Sequence, residues 1–308
     1  MKTLCEKLKH AVHLGYHSAF VNQNIHRLEF IIRHDQLIEK ALRSDESGVS
    51  SQKLCEHEVI VSLTTYGKRL YDVAPTIESI MQGSVKPNRI VLWLEEEMKD
   101  VILPIALRKQ QERGLEIVFC KNLRSYQKLI PAFGKYPTAA IITIDDDAIY
   151  HYDLVEKLVN AHKLYPKDII ANRVHRMVLG KDSKPVSYMK WDWCVNLPVS
   201  QSSPLLFLTG VGGVLYPPKS LSPEVMNEAV FMDICKFADD VWFNAMALMA
   251  GTKIRKCYTH DAKGEDYLIN VDVQDVGLLR VNTGKKCAND RQLRAVFEKY
   301  DLWSKLNA

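Results

Sequence analysis

AAIITIDDDAIYHYDL, residues 139–154, joins an apolar run to three successive carboxylates, Asp145, Asp146 and Asp147. AAIITI has the length and composition of a buried strand. Two carboxylates about 4 Å apart repel by about 1 kcal/mol in water and about 4 at an effective dielectric of 20. Three at a strand end therefore need solvent, basic partners or a cation. The next segment, DLVEKLVNAHKLY, reads as a helix whose Asp153 and Glu156 have capping-box spacing, with Asp153 as N-cap. The usual structural task of an aspartate after a strand is thus already filled, and the triplet is spare for another. On an extended segment Asp145 and Asp147 point the same way while Asp146 faces elsewhere. Paired hard oxygen donors suit Mg²⁺ or Mn²⁺ that also binds phosphate oxygens; the alternative is a solvated acidic turn.

Outward from this stretch the chain alternates. EVIVSLTTY, RIVLWL, LEIVFC and AAIITI read as strands. APTIESIMQG, a segment around 100–112 and LRSYQKLIPAF up to Pro131 read as helices between them. That rhythm predicts an α/β fold with an open, mostly parallel sheet covered by helices on both faces. In such sheets ligands bind beyond the carboxyl ends of the strands, where the triplet falls.

Residues 3–43 carry leucine, isoleucine and valine at three- and four-residue steps and predict a helical extension. Its expected form is a hairpin packed on the main domain or on another subunit, which leaves an oligomer open; the other reading is a basic face resting on a membrane. SDESGVSSQK begins a linker over 44–56. The expected catalytic domain is 57–265, followed by a segment over 266–308 whose RQLRAVFEKY forms a closing helix. No run of uncharged apolar residues is long enough to span a membrane. The 308 residues carry a net charge of +4, too weak to argue for nucleic acid as a partner. Seven cysteines without CxxC spacing read as reduced thiols in a cytosolic protein.

VSLTTYGKRL with KPNRIVLWL, LRSYQKLIPA with IITIDDDAIY, then GVGGVLYPP (210–218) and ADDVWF (238–243) together resemble bacterial family-2-like glycosyltransferases of the GT-A fold, of the surface polysaccharide and lipopolysaccharide type. The resemblance implies a metal-dependent transfer of a sugar from a nucleotide-diphosphate donor, such as a UDP-sugar, to a glycan or lipid-linked acceptor at the cytoplasmic membrane face. It places Thr64, Thr65, Tyr66 and Arg69 at the nucleotide, with Arg124, Tyr126 and Lys128 lining the nucleotide or phosphate pocket. Asp145 and Asp146 join the donor-binding set, and Asp145 and Asp147 hold Mn²⁺ or Mg²⁺. His260 in YTHDAKGED is a further candidate metal ligand. Gly212 and Gly213 let backbone approach a ligand closely. In ADDVWFNAMALMAG the acidic pair opens a helix, where an N-cap and first-turn acid are the structural use. The resemblance makes Asp240 the general base, with Asp239 as fallback. Trp242, Arg173, His175, Arg176 and the WDWC cluster at 191–194 are weaker candidates for sugar or phosphate contact.

Two other readings compete. Clustered aspartates also hold metals in nucleotidyltransferases and phosphoesterases, although no GxxxxGK loop is present. A non-catalytic glycan-binding or assembly module would work instead through residues 1–43.

Overall fold

The computed structural model describes residues 4–260, 266–270 and 288–307. In chain order the helices are α1 (Leu4–Arg43), α2 (Ala74–Met81), α3 (Ile105–Glu112), α4 (Ile130–Lys135), α5 (Leu154–Leu164), α6 (Glu228–Ile234), α7 (Asp239–Ala250) and α8 (Ala288–Lys299). The strands are β1 (Val59–Thr64), β2 (Arg89–Glu95), β3 (Leu115–Cys120), β4 (Ala140–Thr143), β5 (Ala148–Tyr150), β6 (Ile169–Ala171), β7 (Val174–Arg176), β8 (Leu206–Leu208), β9 (Val214–Tyr216), β10 (Ile254–Lys256) and β11 (Tyr267–Ile269).

Seven strands form one sheet in the order β10-β6-β9-β4-β1-β2-β3. All neighbours are parallel except β9, which runs antiparallel to β4 and β6. Two antiparallel ribbons, β5 with β11 and β7 with β8, stand apart from it. The sheet is buried on both faces. Along β1, Val59, Val61 and Leu63 pack under α2, α3 and α5. Ile60 faces the other layer, built from α6, α7 and α8. A strand buried on both sides needs apolar residues at nearly every position, and VIVSLT meets that need. The expected α/β architecture, with helices on both faces and an N-terminal helical extension, is what the structure shows.

Several local expectations change. The extension is one continuous helix of 40 residues, not a hairpin. Its only glycine, Gly15, weakens a helix by about 1 kcal/mol without breaking it. Leu37 and Ala41 near its end are buried against the domain, while Val21, Ile25, Leu28 and Ile32 are exposed. Pro104 delays the start of α3 to Ile105. Pro131 lies in the first turn of α4 rather than at a helix end, where its missing N–H is not needed. Asp153 precedes α5 without a side-chain cap bond, because its carboxylate is engaged by two histidines.

The polar segment 44–56 is strapped down. The Gly48 N–H donates to the Arg113 carbonyl at 2.8 Å and Ser50 N–H to the Pro87 carbonyl at 2.9 Å. Asn88 Nδ2 donates to the carbonyls of Ser50 and Gln52, both at 2.9 Å. Arg113 joins this strap to the core: its Nε donates to the Glu46 carbonyl, and its two terminal nitrogens hold Glu78 bidentately at 2.9 Å each. Glu78 is fully buried. Glu78→Ala is expected to destabilise the protein by about 3–5 kcal/mol, because it leaves a buried guanidinium without its partner. Urea denaturation of the two proteins measures this.

Candidate active site

The chain leaves β1 toward β2 and β3, then returns to the other side of β1 with β4. The carboxyl ends of β1 and β4 therefore border a topological switch point, the place where an open α/β sheet leaves a crevice. Thr65 follows β1 there and the triplet follows β4.

A turn at residues 146–147 ends the extended backbone, and with it the simple alternation of side chains. Asp146 and Asp147 share one cation: Arg69 Nη1 lies 2.7 Å from Asp146 Oδ1 and Nη2 lies 3.2 Å from Asp147 Oδ2. Arg69 comes from a 3₁₀ turn over Gly67–Tyr71 that directly follows β1. The second Asp146 oxygen accepts from Thr65 Oγ1 at 2.6 Å, and Thr76 Oγ1 donates to the Asp146 carbonyl at 3.1 Å. Burial pushes the Asp146 carboxyl up, against the pull of Arg69 and Thr65. With both oxygens hydrogen-bonded inside the protein, Asp146 braces the turn.

Asp145 turns the other way, to Lys128. The 3₁₀ turn over Arg124–Lys128 is anchored where Ser62 Oγ donates to the Lys128 carbonyl at 2.5 Å and itself accepts from Trp93 Nε1 at 2.9 Å. That places Lys128 Nζ 2.7 Å from Asp145 Oδ1 and 3.0 Å from Asp239 Oδ2. Burial alone would drive the ammonium to lose its proton. Asp145, Asp239 and Asp240 outweigh burial and hold its pKa well above the ordinary value. The Asp145 N–H donates to the Tyr150 hydroxyl, which donates in turn to the Val211 carbonyl, both at 2.9 Å. The triplet is thereby tied to the glycine-containing loop.

Asp239 and Asp240 open α7, where the helix dipole favours negative charge. Asp240 Oδ1 accepts the Gly210 N–H at 2.9 Å. A Cβ on Gly210 would stand 2.8 Å from Lys128 Nζ and 3.1 Å from Asp240 Oδ1, so a larger residue would push the lysine head out of its place. Asn244 holds α7 to β8 through both the N–H and the carbonyl of Leu208. Burial first, and the neighbouring Asp239 second, push the Asp240 carboxyl up to about 7, against the pull of Lys128.

The remaining expected site residues divide. Tyr66 is exposed beside Arg69, whose guanidinium lies 5.6 Å from its ring centroid. Thr64 Oγ1 donates to the Trp93 carbonyl at the sheet edge. Arg124 is exposed at the rim, over the Phe237 ring. Tyr126 is a core residue rather than a pocket residue: it is fully buried, stacked on Phe231, with its hydroxyl on the Cys235 carbonyl. Gly212 and Gly213 are needed for chain packing. A Cβ on Gly212 would strike Arg173, and Gly213 has φ +91° against Leu154. Trp242 and Trp191 are core. Trp193 stacks on buried His175, Arg176 pairs with Asp192, and Arg173 bonds Thr209 and Cys194. His260 does not meet Asp145 and Asp147; its Nε2 lies 2.6 Å from Asp153 Oδ2. Gly210, Tyr150 and Asn244 were not singled out from sequence. A glycine just ahead of the quoted pair was the available signal for Gly210; the other two carried none.

Charge decides whether a divalent cation suits this edge. Among the described residues, the pairings above set five carboxylates (Asp145, Asp146, Asp147, Asp239 and Asp240) against Arg69 and Lys128, and within that set negative charge is in excess even with Asp240 protonated. Asp145 is the most open of the triplet, its side chain 29% exposed against 7% for Asp146. Asp145 is accordingly the residue of the triplet most open to Mn²⁺ or Mg²⁺; Asp147, 11% exposed and paired with Arg69, is little more open than Asp146.

No protein-family model and no curated protein matches the sequence. Among solved structures the chain is similar to the mannosyltransferase PcManGT from Pyrobaculum calidifontis in complex with GDP-Man and Mn²⁺, at 12% identity over 93% of this chain and 79% of that one, TM-score 0.45. It is also similar to S. aureus TarS 1–349 in complex with UDP, at 12% identity over 79% and 71%, TM-score 0.41. A third is the inositol-1-phosphate CTP transferase from T. maritima, at 10% identity over 75% and 98%, TM-score 0.37. These likenesses are distant, and the chemistry is read from the chain's own residues.

The Asp240 carboxyl, raised from an ordinary value of about 3.9, keeps a proton that the unfolded chain releases. Its contribution to stability is therefore present below about pH 4 and lost as pH rises through about 7. Asp240→Asn cannot ionise and escapes that loss. Its melting temperature relative to the native protein is expected to rise between pH 4 and 7 and then level off, as read by thermal unfolding across that range.

Proposed function

We propose that this chain is a metal-dependent glycosyltransferase moving a sugar from a nucleoside-diphosphate donor to a hydroxyl of a glycan or lipid-linked acceptor. The observation that carries the reading is the excess of carboxylate at the sheet's carboxyl edge, next to an acid whose pKa lies near neutrality. Asp145 and Asp147 would hold a divalent ion, which when bound would supply neutralisation of the charge on the departing diphosphate.

The chain's own groups do the rest. Tyr66 offers an exposed ring for the nucleotide base at the end of β1. Lys128 holds Asp145 and Asp239 in place. Asp240 takes the proton from the acceptor hydroxyl as its oxygen attacks the anomeric carbon and the bond to the diphosphate breaks. A base with a pKa near 7 is matched to that task at neutral pH. Attack from the face opposite the leaving group inverts the anomeric centre. An acceptor carried on lipid suits the exposed apolar residues of α1, which would bring the enzyme to the cytoplasmic membrane face. No helix among the described residues is long and apolar enough to cross a membrane.

Product analysis with candidate UDP- and GDP-sugars and Mn²⁺ tests the reading. Free nucleoside diphosphate is the expected product, whereas pyrophosphate would establish nucleotidyl transfer instead. Asp240→Asn is expected to lower turnover by about 10²- to 10⁴-fold. The native rate should climb with pH and level off above about 7, following ionisation of Asp240. A rate unchanged in both Asp240→Asn and Asp147→Asn would exclude this edge as the catalytic centre.

A further inference from the structure

We propose that His151, Asp153 and His260 form a second metal site, for a divalent transition-metal ion of the zinc class, separate from the carboxylate edge. Their candidate ligand atoms all lie within 4.8 Å of one another, the only such group of three or more among the described residues. Asp153 presents one oxygen to each imidazole: His151 Nδ1 is 2.6 Å from Oδ1 and His260 Nε2 is 2.6 Å from Oδ2. The two rings lie 4.3 Å apart. Two imidazoles and one carboxylate are the donor set of three-ligand zinc sites that keep a fourth position open. The His260 side chain is 43% exposed, which leaves an approach from solvent.

The surroundings hold these ligands in place. Asp266 positions both histidine backbones: its carbonyl accepts the His151 N–H at 3.2 Å and its Oδ2 accepts the His260 N–H at 2.8 Å. Lys157 Nζ, 3.8 Å from Asp153 Oδ1, is drawn away by Asp266 at 2.6 Å, so its charge is balanced outside the ligand set. Lys157 and Tyr258 also line a cavity of about 650 Å³ beside α5. The site lies past the far end of β5 from Asp147, about 10 Å along a three-residue strand.

Tetrahedral bonds of about 2.0–2.1 Å separate neighbouring ligand atoms by about 3.3 Å. Binding must therefore spread each nitrogen–oxygen pair from 2.6 Å, with each imidazole keeping its proton on the other ring nitrogen, Nε2 of His151 and Nδ1 of His260. Soft thiolates are absent from the set and imidazole dominates it. That selects zinc-like ions over Mg²⁺ or Mn²⁺.

The test is Co²⁺ uptake followed by visible absorption, together with thermal melting in Zn²⁺, on the full chain. His151→Gln and His260→Gln keep an amide N–H that can donate to Asp153 but remove the metal ligand. The native protein and Asp147→Asn are both expected to show the intense visible absorption of tetrahedral Co²⁺ and to melt higher in Zn²⁺. Both glutamine variants should bind at least about tenfold more weakly, a loss typical of disturbed metal sites. No uptake by the native protein, uptake undiminished in either glutamine variant, or uptake abolished by Asp147→Asn would each overturn the proposal.

Discussion

A primary ammonium buried between carboxylates holds together parts of this chain that are remote in sequence. Lys128 comes from the turn after β3, Asp145 from the end of β4 and Asp239 from the start of α7. In a low dielectric, acids this close cannot all ionise without a cation among them. The lysine therefore fixes where the triplet points, where α7 begins and how close Gly210 must lie. Arg69 does the same for Asp146 and Asp147, so two basic side chains organise the edge without neutralising it.

The incomplete neutralisation is the feature on which the proposed function rests. A site built for stability alone would match its charges or replace them with apolar residues. Here unmatched charge gathers at the switch point between β1 and β4, whereas buried Glu78 and Arg113 are matched one to one. The sheet and its two packed layers are well matched to their sequence. Conflict confined to a crevice is where function is expected to lie.

Much of the frame was legible because it depends on near neighbours in sequence. LEIVFC became β3 residue for residue, and APTIESIM became α2. The triplet was legible as a problem, since three like charges after a buried strand demand an answer. What that answer was could not be read locally. Lys128 and Arg69 were quoted as pocket residues, yet their partners are fixed by the fold. Tyr126 differs from Lys128 by two positions, and one is core while the other is at the site, because both lie in one 3₁₀ turn, where residues two apart face different ways. The antiparallel β9 and the continuity of α1 likewise depend on contacts or costs that spacing does not encode. Asp153 had the spacing of a cap, but two histidines brought by the ribbon and by the segment after β10 compete for its carboxylate.

The claim at the centre is that this acidic edge shares a divalent cation with a diphosphate. Titration calorimetry of UDP and GDP into the native protein, with and without Mn²⁺, addresses it directly. At least one nucleotide is expected to bind about tenfold or more tightly with the metal, a difference of about 1.4 kcal/mol, and Asp147→Asn should abolish the gain. Equal affinity with and without Mn²⁺, or a gain that survives in Asp147→Asn, would contradict the account.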